Sequence, residues 1–277
     1  MLEQINVKFF EKKPYAAFIL GAVYVFAAFF TAKIFFPSAI SISILFLVTL
    51  LLVPTVLKLI SIEEKRERKD GSEHFLNDHR DIFEIYVFLF LGIFAAFVFI
   101  GLFYGIDSNF DYQFNFLERQ EGLSSILINA RTETGITISH SNFFALLQSN
   151  LTVIIICFVL SFFYGAGSMF LIVLNASVFS TFVTFFIREL PTITNKATIF
   201  LLFLIHAVPE LFGFLLAAVA GGILSKAILK EKLFSHSFRN VVRDSFLIFI
   251  IAVAVIVVAA LLETYVTTSL FNAFLVK

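Results

Sequence analysis

Seven apolar stretches, each about as long as a helix that crosses a bilayer, run through this chain: 16–36, 39–60, 81–104, 145–163, 169–187, 199–226 and 244–268. A hydrocarbon core about 30 Å thick takes about 20 such residues as helix. Lipid offers no partner to backbone N–H and C=O groups, so each stretch must satisfy them internally. The pattern predicts an all-α fold, a polytopic transmembrane helix bundle of about seven spans. Composition points the same way, with 60% hydrophobic and 14% charged residues among 277; soluble domains are nearer a quarter charged. Forty Phe and no Trp leave the interfacial belt to Tyr and Phe. The net charge of zero argues against a nucleic-acid surface, so the bilayer itself is the expected partner. The lone Cys157 sits in an apolar run and excludes an intrachain disulfide or a cysteine-based metal site.

Charge placement sets the expected orientation. Lys8, Lys12 and Lys13 precede the first stretch, which is too long for a signal-peptide core and ends without a clear cleavage site, so it is expected as a retained span. A loop or helix extension over 61–80 carries Glu63, Glu64, Lys65, Arg66, Glu67, Arg68, Lys69 and Asp70. A basic loop over 226–243 holds Lys226, Lys230, Lys232, Arg239 and Arg243. With the N-terminus in the cytoplasm every basic cluster falls inside, as positively charged loops prefer. The C-terminus then lies outside, in a multi-pass protein of the cell membrane.

Three regions follow. Residues 1–105 form an N-terminal membrane region of three spans with the charged cytoplasmic loop 61–80. Residues 106–144 form an extracytoplasmic loop, in which 117–129 is expected as a short amphipathic helix on the bilayer surface. A loop this long suits a docking segment for a protein partner, or a plain connector. Residues 145–277 form a C-terminal four-span region.

The sixth stretch is the most informative. His206, Pro209 and Glu210 lie near its middle, where ionisable groups are costly and mark a functional site by default. His206 and Glu210 share a helix face about 6 Å apart along the axis. Gly213, Ala217 and Gly221 continue that face as a small-residue ladder, which lets a second helix approach closely. The ladder serves equally for a neighbouring span of the same chain or for a homodimer seam. Pro209 removes a backbone donor and crowds the carbonyl of Ile205, so a kink of the sixth span is expected there.

Other spans add Asn150, Asn175 and Glu263. At about 1.5 Å per residue, Asn150 and Glu263 fall within roughly 6–8 Å of the outer side, His206 near the midplane, and Asn175 with Glu210 roughly 10 Å from the inner side. Such a stagger fits a relay for protons or cations. It fits equally well as glue between helices. The sharper expectation is one buried cluster of Glu210, His206, Asn175 and Glu263 between spans five, six and seven.

These residues carry a resemblance. Asn150 opening a span, the Gly165-Xaa-Gly167 turn, Asn175, the run from His206 through Pro209 and Glu210 to Leu211, the small residues from Ala217 to Gly222, and Ala259 with Glu263 resemble the stage II sporulation protein M family. The resemblance covers roughly residues 140–270. It implies a membrane scaffold that works with peptidoglycan hydrolases during engulfment in sporulating bacteria, with relatives outside spore formers. Three classes compete: a non-enzymatic scaffold or organiser, a cation- or proton-conducting channel or transporter using the same polar residues, and an intramembrane metallohydrolase. Catalytic zinc usually needs three protein ligands, and the sequence has no His-Glu-Xaa-Xaa-His motif. It also lacks phosphate-binding and dinucleotide-binding fingerprints and a nucleophile elbow. The expectation is therefore a membrane scaffold, with the cation- or proton-conducting channel or transporter as the alternative, and no enzymatic activity, cofactor or metal.

Overall fold

The computed structural model describes residues 13–70, 80–105, 109–118, 142–164, 168–189, 196–230 and 235–275. The described residues are helical, apart from short turns. In order the helices are α1 (Ala16–Phe35), α2 (Ile40–Asp70), α3 (Arg80–Tyr104), α4 (Asp111–Glu118), α5 (Phe143–Tyr164), α6 (Met169–Glu189), α7 (Lys196–Lys230) and α8 (His236–Leu261). A π-helical turn over Leu262–Thr267 then leads into α9 (Thr268–Leu275). The chain folds as the expected polytopic helical bundle.

Six of these helices carry stretches long and apolar enough to cross a membrane: Ala16–Phe35, Ile40–Leu59, Phe83–Tyr104, Phe143–Phe163, Phe200–Ser225 and Phe238–Leu270. The fifth expected span is shorter, an apolar stretch of 17 residues over Met169–Phe185. That is the low end of what a bilayer needs. Its surroundings explain the difference. Val173, Ser177, Ser180, Thr181 and Thr184 of α6 are all buried, so the helix lies inside the bundle and meets protein where other spans meet lipid. The hydroxyls of Ser177, Ser180, Thr181 and Thr184 bond back to carbonyls three or four residues earlier, which makes them tolerable in an apolar interior.

The outer faces of the bundle are apolar. Ile34, Phe103, Phe163, Leu201, Ile250 and many others are exposed. On a soluble protein so much exposed apolar surface would be an aggregation hazard; in a bilayer it is the surface in contact with acyl chains.

Alternate spans pack side by side and parallel. Gly21 of α1 lies against Leu89 and Ile93 of α3, Gly92 of α3 lies against the Phe18 backbone, and Phe26 meets Phe99 further along. The two helices approach so closely that neither glycine position has room for a Cβ without a backbone shift. Likewise α5 and α7 run parallel, with Gly221 pressed on the Phe158 carbonyl and Ser161. Helix α8 returns antiparallel to α7, placing Ile256 and Ala252 over Gly213, and Ser245 donates to the Ala220 carbonyl at 2.8 Å. Helix α7 thus lies at the centre, touching α2, α3, α5, α6 and α8.

The charged stretch after the second span takes the helix-extension form, since α2 runs on to Asp70. Most of the basic residues between the last two spans also sit on helix ends, because α7 reaches Lys230 and α8 starts at His236. The surface helix expected over 117–129 lies, beyond Glu118, outside the described residues. What is described there is α4, wedged against α2 and α6. Phe110, just before it, is buried against Phe97, and the fully buried Gln113 side chain accepts from Ser41 Oγ at 2.5 Å. The turn Gly165 to Gly167 also lies outside the described residues.

Candidate functional site: an intramembrane polar knot

Helix α7 remains unbroken across Pro209, from Lys196 to Lys230. Continuity keeps His206 and Glu210 one turn apart on one face. Both are buried, at 8% exposure each. An apolar environment demands a partner for each polar group, because an unpaired one costs about 1–3 kcal/mol. The neighbouring helices supply them.

Asn150 projects from α5, where the close contact at Gly221 holds the two parallel helices together. Its Nδ2 donates to Glu210 Oε1. On the other side the chain returns through α8 and the π turn. His206 Nδ1 lies 3.3 Å from Thr267 Oγ1, and the ring packs edge-on against Phe203 with centroids 5.2 Å apart. Four residues before Thr267 is Glu263, and four after His206 is Glu210. The antiparallel course therefore puts the two carboxyl groups at one level of the seam, within electrostatic range of each other. Among the described residues neither carboxyl group has an ion-pair partner.

The π turn shapes this side of the site. A π turn accommodates one more residue than an α-helical turn and is often found at functional positions. Here the Glu263 carbonyl accepts from both the backbone N–H and the Oγ1 of Thr268, the latter at 2.9 Å. Glu263 itself is half-buried, whereas Thr264, Thr267 and Thr268 are buried.

The structure thus brings together Asn150, His206, Glu210 and Glu263, from α5, α7 and the π turn. Asn175 stands apart: it is half-buried on α6 and, among the described residues, makes no hydrogen bond to the other four. The cluster joins spans four, six and seven instead of five, six and seven. The expected stagger across the membrane also collapses, because Asn150 and Glu210 touch. Span starts do not share one level: α7 is 35 residues long and offset from α5. Thr267 and the π turn were missed by the sequence reading; the signal was present in Thr264, Thr267 and Thr268 beside Glu263 in an otherwise apolar span.

The small-residue ladder is used within the chain. Gly213 faces α8, Gly221 faces α5, and Ala217 between them is fully buried with Ile154, Cys157, Phe214, Ala252 and Ile256. Cys157 is therefore a core residue. Among the described residues no three His, Cys, Asp or Glu side chains gather as metal ligands would.

Comparison with curated proteins returns no match, and neither does comparison with solved structures. The model of one protein family, described as stage II sporulation protein M, matches residues 85–268. That span reaches further toward the N-terminus than the resemblance carried by the polar residues alone, taking in α3 and the 106–144 segment. It includes Asn150, His206, Glu210 and Glu263, and it covers well over half of the chain: this protein belongs to the stage II sporulation protein M family.

Proposed function

We propose that this protein is a non-enzymatic scaffold of the cell membrane, in which the polar knot fixes the packing of the C-terminal spans. The observation that carries the reading is the direct Asn150–Glu210 bond between α5 and α7. Side chains that bond one another across a seam act as interhelical glue, worth about 0.6 kcal/mol per hydrogen bond on average and up to about 1.7. The unbroken α7 supports it too, since transporter sites typically use interrupted helices whose free ends meet the ion. In this reading the N-terminus is cytoplasmic, the C-terminus extracytoplasmic, and the 106–144 segment meets protein partners outside the membrane.

A second reading, a cation or proton path, rests on one specific feature: Glu210 and Glu263 lie within electrostatic range of each other with no basic partner among the described residues. Ion flux into liposomes separates the two. The scaffold reading expects no proton or monovalent-cation flux from wild type or from Glu210→Gln. Flux that collapses in Glu210→Gln, with folding intact, would replace the scaffold with the conducting path.

A further inference from the structure

Threonines within helices commonly return their hydroxyl to the carbonyl four residues earlier, and this chain does so repeatedly. Thr31 bonds the Ala27 carbonyl at 2.7 Å, Thr49 that of Leu45 at 2.7 Å, and Thr152 that of Gln148 at 2.8 Å. Thr181 and Thr184 do the same, each at 2.8 Å. Two threonines at the π turn behave differently. Thr268 donates to the carbonyl five residues back, at Glu263. Thr264 is buried at 6% exposure and its hydroxyl has no hydrogen-bond partner among the described residues.

The contrast defines two alternative sets of bonds. In the π register Thr267 reaches His206 and Thr268 holds the Glu263 carbonyl, while Thr264 is left without a partner. In an α-helical register Thr264 would bond the Ala260 carbonyl as the other threonines do. The π-specific Thr268 bond to Glu263 would then be lost, and the Thr267 contact to His206 would move with the turn. Each register leaves one buried polar group without a partner among the described residues, Thr264 in the π form and His206 in the α form, so the two registers are closely matched. Two packings this close in energy make a bistable element.

The geometry points to Leu262–Thr267 as a two-register hinge, held in its π form by the Thr267 contact to His206 of α7 and by the Thr268 bond to the Glu263 carbonyl. Loss of those contacts lets the turn relax to α-helix and rotates α9 by roughly 100°, the angle of one helical residue. The inference goes beyond the scaffold reading and stands whether the knot is structural or conducts.

A nitroxide scan reads the rotation. In a Cys157→Ala chain reconstituted in liposomes, single labels are placed at positions 269 to 274 and their collision with dissolved oxygen is measured. Ser269 and Ala273 are exposed and Leu270 is partly buried, so accessibility in the otherwise unaltered chain should peak at 269 and 273. Thr264→Val, which removes the hydroxyl that only the α register satisfies, should keep those peaks. The pair His206→Leu with Thr268→Val removes both contacts that hold the π register, and its peak should move one position, from 273 to 272. An unmoved peak in a folded double variant, or accessibility without helical periodicity, would overturn the hinge. If the double variant does not insert, the pair His206→Phe with Thr268→Ala, which also removes both contacts, is scanned in the same way; there the same shift supports the hinge and an unmoved peak again overturns it.

Discussion

Glu210 is the side chain whose surroundings decide the chemistry of this protein. It is buried in a membrane-spanning helix, with Asn150 bonded to it and Glu263 beside it. Removing a partner from a buried polar group costs more than the bond contributes, because the group left behind is still desolvated. Asn150→Ala should therefore destabilise the fold by about 1–3 kcal/mol, whereas Glu210→Gln, which keeps size and a hydrogen-bonding oxygen, should cost less than about 1 kcal/mol. Reversible unfolding in detergent measures both. That Glu210 and His206 need polar partners was legible in the sequence, because ionisable residues inside apolar spans are costly. Their partners were less so. Asparagine at 150 and asparagine at 175 look equivalent as letters, and only the relative tilt and offset of the spans bring the first to Glu210 and leave the second outside.

Individual spans could be located from hydrophobic run length alone, since lipid leaves no other way to satisfy a backbone. The exception was α6, whose apolar part is 17 residues because protein surrounds it. The π turn left no mark in run length or periodicity; it arises from how the last span meets α7. The glycines were read as close-approach sites, and they are, but on different neighbours: Gly213 under Ile256, Gly221 under Phe158. The Gly221 contact involves backbone, which cannot rotate aside, while the Gly213 contact at 2.7 Å is with a side chain that can. Gly221→Ala should thus cost about 1–3 kcal/mol by forcing α5 and α7 apart, and Gly213→Ala markedly less. Gly92→Ala, against the Phe18 carbonyl, should do to the α1–α3 pair what Gly221→Ala does to α5–α7. Thermal unfolding of the purified variants orders these costs.

The whole molecule is a bundle threaded by one long helix, α7, around which the N-terminal spans and the α5–α8 pair both pack. Alternate spans lie parallel, as regular back-and-forth threading requires, and the basic helix ends fix the expected direction of that threading. Cysteines placed singly at positions 66 and 232 should react with an impermeant maleimide only after the membrane is opened, and one at position 125 should react in intact cells; the opposite pattern would invert the topology. The scaffold account depends most on the bond between α5 and α7 being a true energetic tie. A double-mutant cycle of Asn150→Ala and Glu210→Ala, read by unfolding free energy, isolates that tie. The account predicts a coupling energy of about 0.6–1.7 kcal/mol; a coupling of zero in two folded single variants would contradict it.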